Sequence, residues 1–199
     1  METVYSLSFT EPDINKREIM RYMSSLGGGD EIIDLIDECL AETRATLQYK
    51  VCYAVLSAET NGDKIVLPCG QIESKNLARN LSGCNKAIVF AATIGVGIDR
   101  LISKYSRLSP TKALCFQAIG AERVEALCDE FCEKMKSEYE KSGERLKPRF
   151  SPGYGDLPLA TQKMIFALLD CPKRIGVTLG DTLLMSPSKS VTAFVGITG

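Results

Sequence analysis

The 199-residue chain contains no histidine. Without an imidazole it can form no Ser-His or Cys-His dyad, and it offers no histidine ligand to a metal ion. Any chemistry that the chain performs by itself must therefore use carboxylates, Lys, Tyr, Cys or a bound cofactor.

The chain also lacks an apolar run long enough to span a bilayer, and its first residues, METVYSLSFTEPD, do not form a signal peptide. We therefore expect a cytoplasmic protein with no membrane partner. The formal net charge is only −1, so bulk electrostatics gives no reason to expect nucleic acid or an anionic membrane as a partner.

Eight cysteines are present, but no two of them are spaced as Cys-x-x-Cys. In the absence of a secretory signal we expect them to be reduced and mostly buried, as small hydrophobic residues. Cys128 and Cys132 stand four residues apart in a helical pattern, where they could share a metal ion. Two thiolates alone make a poor zinc site, so we expect no metal.

The remaining composition, 45% hydrophobic and 25% charged residues, is that of an ordinary globular protein. The length suits one domain, residues 1–199, with an N-terminal helical segment, residues 1–48, packed on it. Apolar spacing predicts helices at 13–29, 30–47, 97–105, 111–139 and 159–169. Asp13 or Asn15 is expected to cap the first of these helices, and Gly27 to Gly29 to end it.

Strand patterns lie between the predicted helices. Residues 3–9 alternate weakly, and the segments YKVCYAVLSAE and DKIVLPCG flank the turn TNGD as a hairpin would. The continuous apolar run KAIVFAATIG is typical of a central strand. The tail from residue 174 onward is interpreted as short strands separated by turns. Together these elements predict an α+β fold with a mixed or antiparallel sheet and flanking helices.

The segment TIGVGIDR lies between a predicted strand and a predicted helix. Gly95 and Gly97 give a partial G-x-G pattern, but Arg100 stands where a dinucleotide-binding loop has its third glycine. We favour a tight strand-to-helix turn. A small-molecule or nucleotide-binding enzyme that uses the Gly95–Arg100 turn stays open as an alternative.

The longest predicted helix carries an acidic run of Glu122, Glu125, Asp129, Glu130 and Glu133. Such a run usually forms a solvated helix face. Glu130 is a candidate for more, because at about 100° per residue it lies roughly 120° from the centre of the apolar stripe, where a side chain can reach a pocket.

The loop PRFSPGYGDLPLATQ combines fixed prolines, permissive glycines, one arginine and one tyrosine, which predicts a shaped loop. The guanidinium of Arg149 can bind a carboxylate or phosphate through two parallel hydrogen bonds, and the Tyr154 ring can pack against a flat ring. The loop thus suits a small ligand with an anionic end and a flat end. On these residues alone it suits equally a surface ion pair of Arg149 beside a packed Tyr154.

The segment RFSPGYGDLPLATQKMIFALL resembles the R-x-x-x-G-Y segment in the activation, or reactivation, domain of cobalamin-dependent methionine synthase. The tail IGVTLGDTLLMSPSKSVTAFVGI resembles the segment that follows it in that family. The region from ATIGVGIDR to ALCDEF and the N-terminal NKREIMRYM helix are similar to its stand-alone members. The resemblance therefore covers most of the chain and implies the fold of that domain.

That family binds S-adenosylmethionine in a shallow groove. The resemblance implies that Arg149 holds the methionine carboxylate of the ligand, and that Ser151 and Gly153 offer backbone contacts near the nucleoside. Tyr154 would complete the groove wall.

Two acidic positions follow from the resemblance as well. Glu130 aligns with a family acidic residue that contacts the ligand, and Asp181 matches an acidic position whose role is less defined. The larger enzyme-linked forms carry an acidic contact on the N-terminal side and an aromatic contact on the C-terminal side, and we can place neither of them in this sequence.

The chemistry implied by the resemblance is reductive methylation of an inactive cob(II)alamin, in which a reductant returns one electron and S-adenosylmethionine supplies the methyl group. Such a role needs positioning and a polar groove, with no general base. The chain has no histidine to ligate cobalt, so a partner must supply the cobalamin.

The implied partners are a cobalamin-binding methionine synthase or corrinoid protein and an electron donor such as a flavodoxin-like protein. A homodimer is also compatible with the resemblance. Whether the chain counts as a methyltransferase component or as an accessory protein stays open. The other alternative left open is a corrinoid-protein interaction module that binds no ligand.

Overall fold

A computed structural model describes residues 2–23 and 29–199. In chain order its strands are β1 (Val4–Phe9), β2 (Tyr49–Ser57), β3 (Glu59–Asn61), β4 (Lys64–Leu67), β5 (Gly70–Glu73), β6 (Lys86–Thr93), β7 (Arg145–Leu146), β8 (Thr178–Leu179), β9 (Met185–Ser186) and β10 (Ser190–Thr198). The helices are α1 (Lys16–Tyr22), α2 (Asp30–Thr43), α3 (Lys75–Asn80), α4 (Gly97–Leu108), α5 (Pro110–Glu140), α6 (Gln162–Leu169) and α7 (Cys171–Ile175).

A five-stranded sheet in the order β1-β2-β6-β10-β7 forms the centre of the fold, and all of its pairings are antiparallel. The predicted α+β class with an antiparallel sheet is thereby confirmed. Strand β6 is a continuous apolar run from Ala87 to Ala92, as suits a strand with both faces buried. Ile88 and Phe90 belong to the core on the α5 side, whereas Ala87 and Val89 belong to the core on the opposite side.

Helix α5 covers one face of the sheet, as its apolar stripe predicts. Ser109 caps the helix by accepting a hydrogen bond from the Lys112 N–H at 3.4 Å, and Pro110 follows at the first helical position. The buried residues of the stripe include Val124, Leu127 and Phe131. They share the larger core with buried residues of α1, α2 and α4.

The N-terminal segment is tied to α5 by a buried ion pair. The Arg123 guanidinium donates to Glu122 and, at 2.6 Å each, to the carbonyl oxygens of Pro12 and Asp13. Glu122 in turn accepts from the Asn15 N–H at 2.9 Å. Glu122 therefore departs from the solvated face expected of the acidic run, because its charge is matched inside the protein.

The N-terminal elements otherwise follow the prediction. Asn15 caps α1 through its side chain, which accepts from the Glu18 N–H at 3.3 Å. Strand β1 pairs with β2 at the edge of the central sheet, so this segment contributes a strand as well as two helices. The predicted end of the first helix at Gly27 to Gly29 is wrong, because α1 ends at Tyr22 with Met23 as its C-cap. Gly27 and Gly28 lie outside the described residues, and Gly29 stands at the N-cap of α2.

The predicted hairpin needs correction at its first strand. Strand β2 pairs with β1 and β6 in the central sheet, and the hairpin around Gly62 and Asp63 is formed by β3 and β4. The turn itself is where the sequence predicts it, with Gly62 at a φ of +62°. The apolar residues of β2 are buried between two sheet neighbours, whereas the short polar β3 lies exposed in a separate three-stranded sheet.

The tail also departs from the prediction of short strands only. β8 and β9 form the expected short hairpin, but β10 is a nine-residue strand that pairs antiparallel with β6. Gly196 does not mark a turn. A Cβ at this position would lie 2.6 Å from Cys84 Sγ, so close packing explains the glycine. Helix α7, which begins at Cys171, was not predicted.

All eight cysteines are free, and six of them are buried, as expected. Burial raises the pKa of the Cys128 thiol and that of the Cys132 thiol, the latter to about 11, so both stay protonated near neutral pH. Residues 2–23 and 29–199 contain no group of three or more side chains that could hold a metal ion. No helix in these same ranges is long and apolar enough to cross a membrane.

Candidate functional site

The loop from residue 148 to residue 157, here called the site loop, is held at its start by two neighbouring elements. The Asn80 side chain of α3 donates to the Pro148 carbonyl oxygen at 3.0 Å. Phe150 and Phe194 of β10 then exchange two backbone hydrogen bonds of 2.8 Å. The expected shaped loop is thus fixed to the edge of the sheet before it turns away.

The end of the site loop is fixed by Asp156. Its carboxylate accepts from the Ser74 hydroxyl at 2.5 Å, from the Lys75 N–H at 2.7 Å and from the Asn76 N–H at 3.1 Å. The hydrogen bond from Ser74, followed by those from the two backbone groups, holds the pKa of Asp156 below its ordinary value. Nothing in the sequence pointed to this anchor, because its partners are about 80 residues away.

A cavity of about 380 Å³ opens between the site loop, α5 and the start of β10. Its polar lining residues are Glu125, Arg149, Ser151, Gln162, Ser190 and Thr192. Its apolar lining residues are Phe150, Pro152, Tyr154, Met185 and Val191. The volume lies in the range of small-molecule sites, and the lining combines apolar walls with a few polar groups, as such sites do.

Arg149 stands between the site loop and α5. Its Nη2 atom lies 2.5 Å from Glu125 Oε2 and 3.0 Å from Asp129 Oδ1. Both ion pairs use this one nitrogen, so Nε and Nη1 have no hydrogen-bond acceptor within the described part of the chain. The guanidinium therefore keeps donors available for an anionic group in the cavity.

Ser151, Gly153 and Tyr154, the three other residues predicted in the site loop, differ in whether they line the cavity. Ser151 and Tyr154 line the cavity with Arg149, and the Tyr154 side chain is 68% exposed at its mouth. Gly153 has a φ of +93°, where a side chain would be strained. Its N–H donates to the Leu157 carbonyl, and the Ser151 carbonyl accepts from the Tyr154 N–H. The Ser151 N–H is therefore left for a ligand in the cavity, whereas Gly153 is not one of the residues that line it, and its predicted contact stays a prediction.

Glu130 lies outside this cavity, in a neighbouring groove between α5 and residues 10–22, here called the acidic groove. Its volume is about 1260 Å³, and Glu125 lines both the groove and the cavity. Glu11 and Asp13 also line the groove. They are carboxylates on the N-terminal side, where the sequence alone allowed no acidic contact to be placed.

Asp181 is not brought to the cavity. It lies exposed in the turn between β8 and β9, whereas Met185 at the start of β9 is a lining residue. The roles predicted for Glu130 and Asp181 therefore stay predictions, with Glu130 one groove away and Asp181 on the surface.

Two lining residues carry buried polar atoms with no partner among residues 2–23 and 29–199: Gln162 Oε1 and Thr192 Oγ1. Gln162 is the first residue of α6, and Thr192 is the third residue of β10. The sequence analysis named neither residue, because a glutamine in a helix and a threonine in a strand are ordinary there.

The Gly95–Arg100 segment forms the tight strand-to-helix turn that the sequence favours. Gly95 has a φ of +79°, and Gly97 begins α4. A Cβ at Gly97 would overlap the backbone carbonyl of Thr46. The glycine is thus explained by close backbone packing, with no phosphate needed to account for it.

Comparison with known proteins relates the chain to the activation domain of vitamin B12-dependent methionine synthase. Residues 76–198, more than half of the chain, match the family model described as "Vitamin B12 dependent methionine synthase, activation domain". The sequence is 37% identical over 106 residues, 51% of this chain, to the methionine synthase of Mycobacterium tuberculosis (strain ATCC 25618 / H37Rv). This chain covers 8% of the length of that enzyme.

The fold has a solved counterpart. The crystal structure of the MetH reactivation domain bound to AdoHcy superposes with a TM-score of 0.73 over 98% of this chain and 78% of that one. The two sequences are 16% identical, so the likeness is one of fold.

Proposed function

The chain belongs to the family of vitamin B12-dependent methionine synthase activation domains, and on that premise we propose that it binds S-adenosylmethionine in the cavity beside Arg149. Bound there, S-adenosylmethionine would serve the reductive methylation of cob(II)alamin held by a methionine synthase or a related corrinoid protein. The AdoHcy bound to the reactivation domain of the same fold supports this choice of ligand.

The observation that carries the proposal is the charge arrangement around Arg149. The methionine end of S-adenosylmethionine has a carboxylate and an ammonium group on one carbon. Arg149 offers unpaired N–H donors to the carboxylate, while Glu125, which lines the cavity 2.5 Å from the same guanidinium, is placed to accept from the ammonium. Asp129, 3.0 Å from the guanidinium, lines the adjoining acidic groove. An arginine flanked by two carboxylates thus matches both charges of an amino-acid end group.

The rest of the cavity suits the nucleoside. Tyr154, Phe150 and Met185 provide apolar surface for a flat ring, and the Ser151 N–H is available for a hydrogen bond. Glu125 opens toward the acidic groove, so Glu11, Asp13 and Glu130 are further candidates for the ammonium group.

The surface at the cavity mouth suits a docked partner. Leu184 is 71% exposed next to the lining residue Met185, and Leu159 lies within van der Waals reach of Gly153 at the rim. Together with the exposed lining residue Tyr154 they are large apolar side chains left exposed near the site loop and β9, where a corrinoid protein could dock and cover the methyl donor. The electron donor, flavodoxin-like or other, and a homodimer stay predictions from the resemblance.

The cobalamin would supply the nucleophile that accepts the methyl group, and this chain would supply its position and surroundings. The sulfonium methyl group is already activated, so the chain needs to hold it in line with the acceptor and exclude water. Arg149 and Glu125 would fix one end of the ligand, and the site loop would fix the other. No residue of this chain is required to move a proton.

The proposal is tested first by calorimetric titration of the folded protein with S-adenosylmethionine and with S-adenosylhomocysteine. Saturable binding of both at a one-to-one ratio is expected, and the absence of binding would remove this function. The second stage combines the protein with labelled S-adenosylmethionine, a reductant and a cobalamin-loaded methionine synthase that lacks an activation domain of its own. Label should reach cobalamin only when the chain is present, and binding without transfer would favour a role other than reactivation.

A further inference from the structure

The two unpaired polar atoms of the cavity need a partner that the described residues do not provide. The exposed fraction is 5% for Gln162 and 2% for Thr192, so bulk water reaches neither side chain freely. Most buried polar atoms in folded proteins have a hydrogen-bond partner, and each exception calls for an explanation. Two exceptions on the lining of one cavity point to a bound group at that place.

The backbone N–H and C=O of Thr192 point to the side of β10 that faces the site loop. Phe194 exchanges two backbone hydrogen bonds with Phe150, and the Gly196 carbonyl accepts from the Lys147 N–H. The backbone N–H and C=O groups of these alternate residues of β10 therefore point away from β6. Thr192 shares their direction by the alternation of an antiparallel strand. Continuing the register would place Pro152 opposite Thr192, and a proline has no N–H with which to extend the ladder.

Thr192 and Gln162 thus bring several hydrogen-bonding groups to the lining of a cavity that also has apolar walls. Phe150, Pro152 and Val191 are among its apolar lining residues. A flat heterocycle that carries hydrogen-bonding groups on one edge matches this combination better than a second charged group does, because neither Gln162 nor Thr192 carries a charge.

We propose that Gln162 and Thr192 bind the amino-bearing edge of the ligand's adenine and make the cavity selective for adenine. Gln162 Oε1 accepts a hydrogen bond from the 6-amino group, while the Thr192 hydroxyl donates a hydrogen bond to the adjacent ring nitrogen. This inference rests on the proposed function, since it assigns the nucleobase end of the same ligand. It places the base at the sheet edge and leaves Arg149 to the methionine end.

A competing explanation is a structural water molecule that pairs both atoms and never contacts the ligand. The two explanations differ in what happens when the polar atoms are removed without a change of shape. Gln162→Met and Thr192→Val keep approximately the side-chain volume. Because each removes a buried atom that lacks a protein partner, neither is expected to lower the thermal midpoint of the free protein. Gln117→Met, on an exposed position of α5, is the matched control.

The experiment measures binding of S-adenosylhomocysteine and of its analogue with purine in place of adenine, which lacks the 6-amino group. The wild type and Gln117→Met should prefer the adenine compound by about tenfold or more. In Gln162→Met the preference should fall to within about twofold, through weaker binding of the adenine compound alone. Thr192→Val should weaken both compounds, because both keep the ring nitrogen.

Each outcome decides between the proposals. If Gln162→Met keeps the full preference, or if the wild type binds both compounds equally, the inference fails while the proposed function stands. If the wild type binds neither compound, the proposed function fails and takes the inference with it. If Gln162→Met does not fold, Thr192→Val decides alone, and unchanged affinity in that variant overturns the assignment.

Discussion

Replacement of Arg149 by alanine tests which end of the ligand this residue holds. The side chain is 25% exposed, and its Nη2 atom pairs with Glu125 and Asp129 while Nε and Nη1 stay available in the described structure. Arg149→Ala removes the donors for the ligand's carboxylate and also leaves two carboxylates of α5 without their counter-charge.

The two consequences differ in size. Hydrogen bonds to a charged group contribute about 1.5–3 kcal/mol, so the affinity for S-adenosylhomocysteine should fall roughly 10- to 150-fold. The ion pairs are partly exposed, and their loss should cost the fold only about 1 kcal/mol, including the repulsion between Glu125 and Asp129. For a chain of this length that corresponds to a thermal midpoint lower by about 2–4 °C.

Methylthioadenosine is the ligand that separates these effects, because it keeps the nucleoside and the thioether but lacks the amino-acid end. Calorimetric titration should show the full loss for S-adenosylhomocysteine and unchanged affinity for methylthioadenosine in Arg149→Ala. The surface variant Lys136→Ala is the control for removal of a cation paired on α5. Equal weakening of both ligands would mean that Arg149 acts on the nucleoside or on the loop, and the assignment would be refuted.

Three further predictions concern the framework of the site. Gly97→Ala should destabilise the protein by about 1–3 kcal/mol, because its Cβ overlaps the Thr46 carbonyl; denaturant unfolding measures this, and an unchanged midpoint would contradict the packing. Asp156→Asn should lower the thermal midpoint at neutral pH and weaken ligand binding through the site loop. Because the folded-state pKa of Asp156 is lowered, its contribution is present above pH about 4 and is lost as the pH falls through that lower pKa, so wild type and variant should converge in acid. Arg123→Met should cost about 3–5 kcal/mol by leaving the buried charge of Glu122 unpaired, and adding Glu122→Gln should restore part of it; strictly additive losses would argue against the pair.

The elements that the sequence predicts well are those whose pattern depends on one burial environment along their whole length. β6 is buried on both faces and has a continuous apolar run, and α5 keeps one buried stripe from Cys115 to Met135. β10 was missed as a long strand because Thr192 and Gly196 interrupt its apolar pattern. Thr192 lines the cavity, and Gly196 allows close packing against Cys84 and Leu81.

The site was predictable only where it is contiguous. Arg149, Ser151 and Tyr154 follow one another in a single shaped loop, so local residue chemistry and the resemblance were sufficient to select them. Gln162 and Thr192 come from a helix start and a strand that meet the loop only in the folded chain. No periodicity marks such residues, and their significance lies in hydrogen-bond partners that are missing after folding.

The acidic run of α5 shows why helical spacing alone could not rank its members. Glu122 is buried against Arg123, Glu125 pairs with Arg149 at the cavity, and Glu130 lines the neighbouring groove. The helix itself presents all three in the same way, as carboxylates near the border of an apolar stripe. What distinguishes Glu125 is the cation that another element brings to it. Arg149 reaches Glu125 because the site loop is fixed to α3 and β10, so the anchors of that loop determine which carboxylate of the run is paired at the cavity.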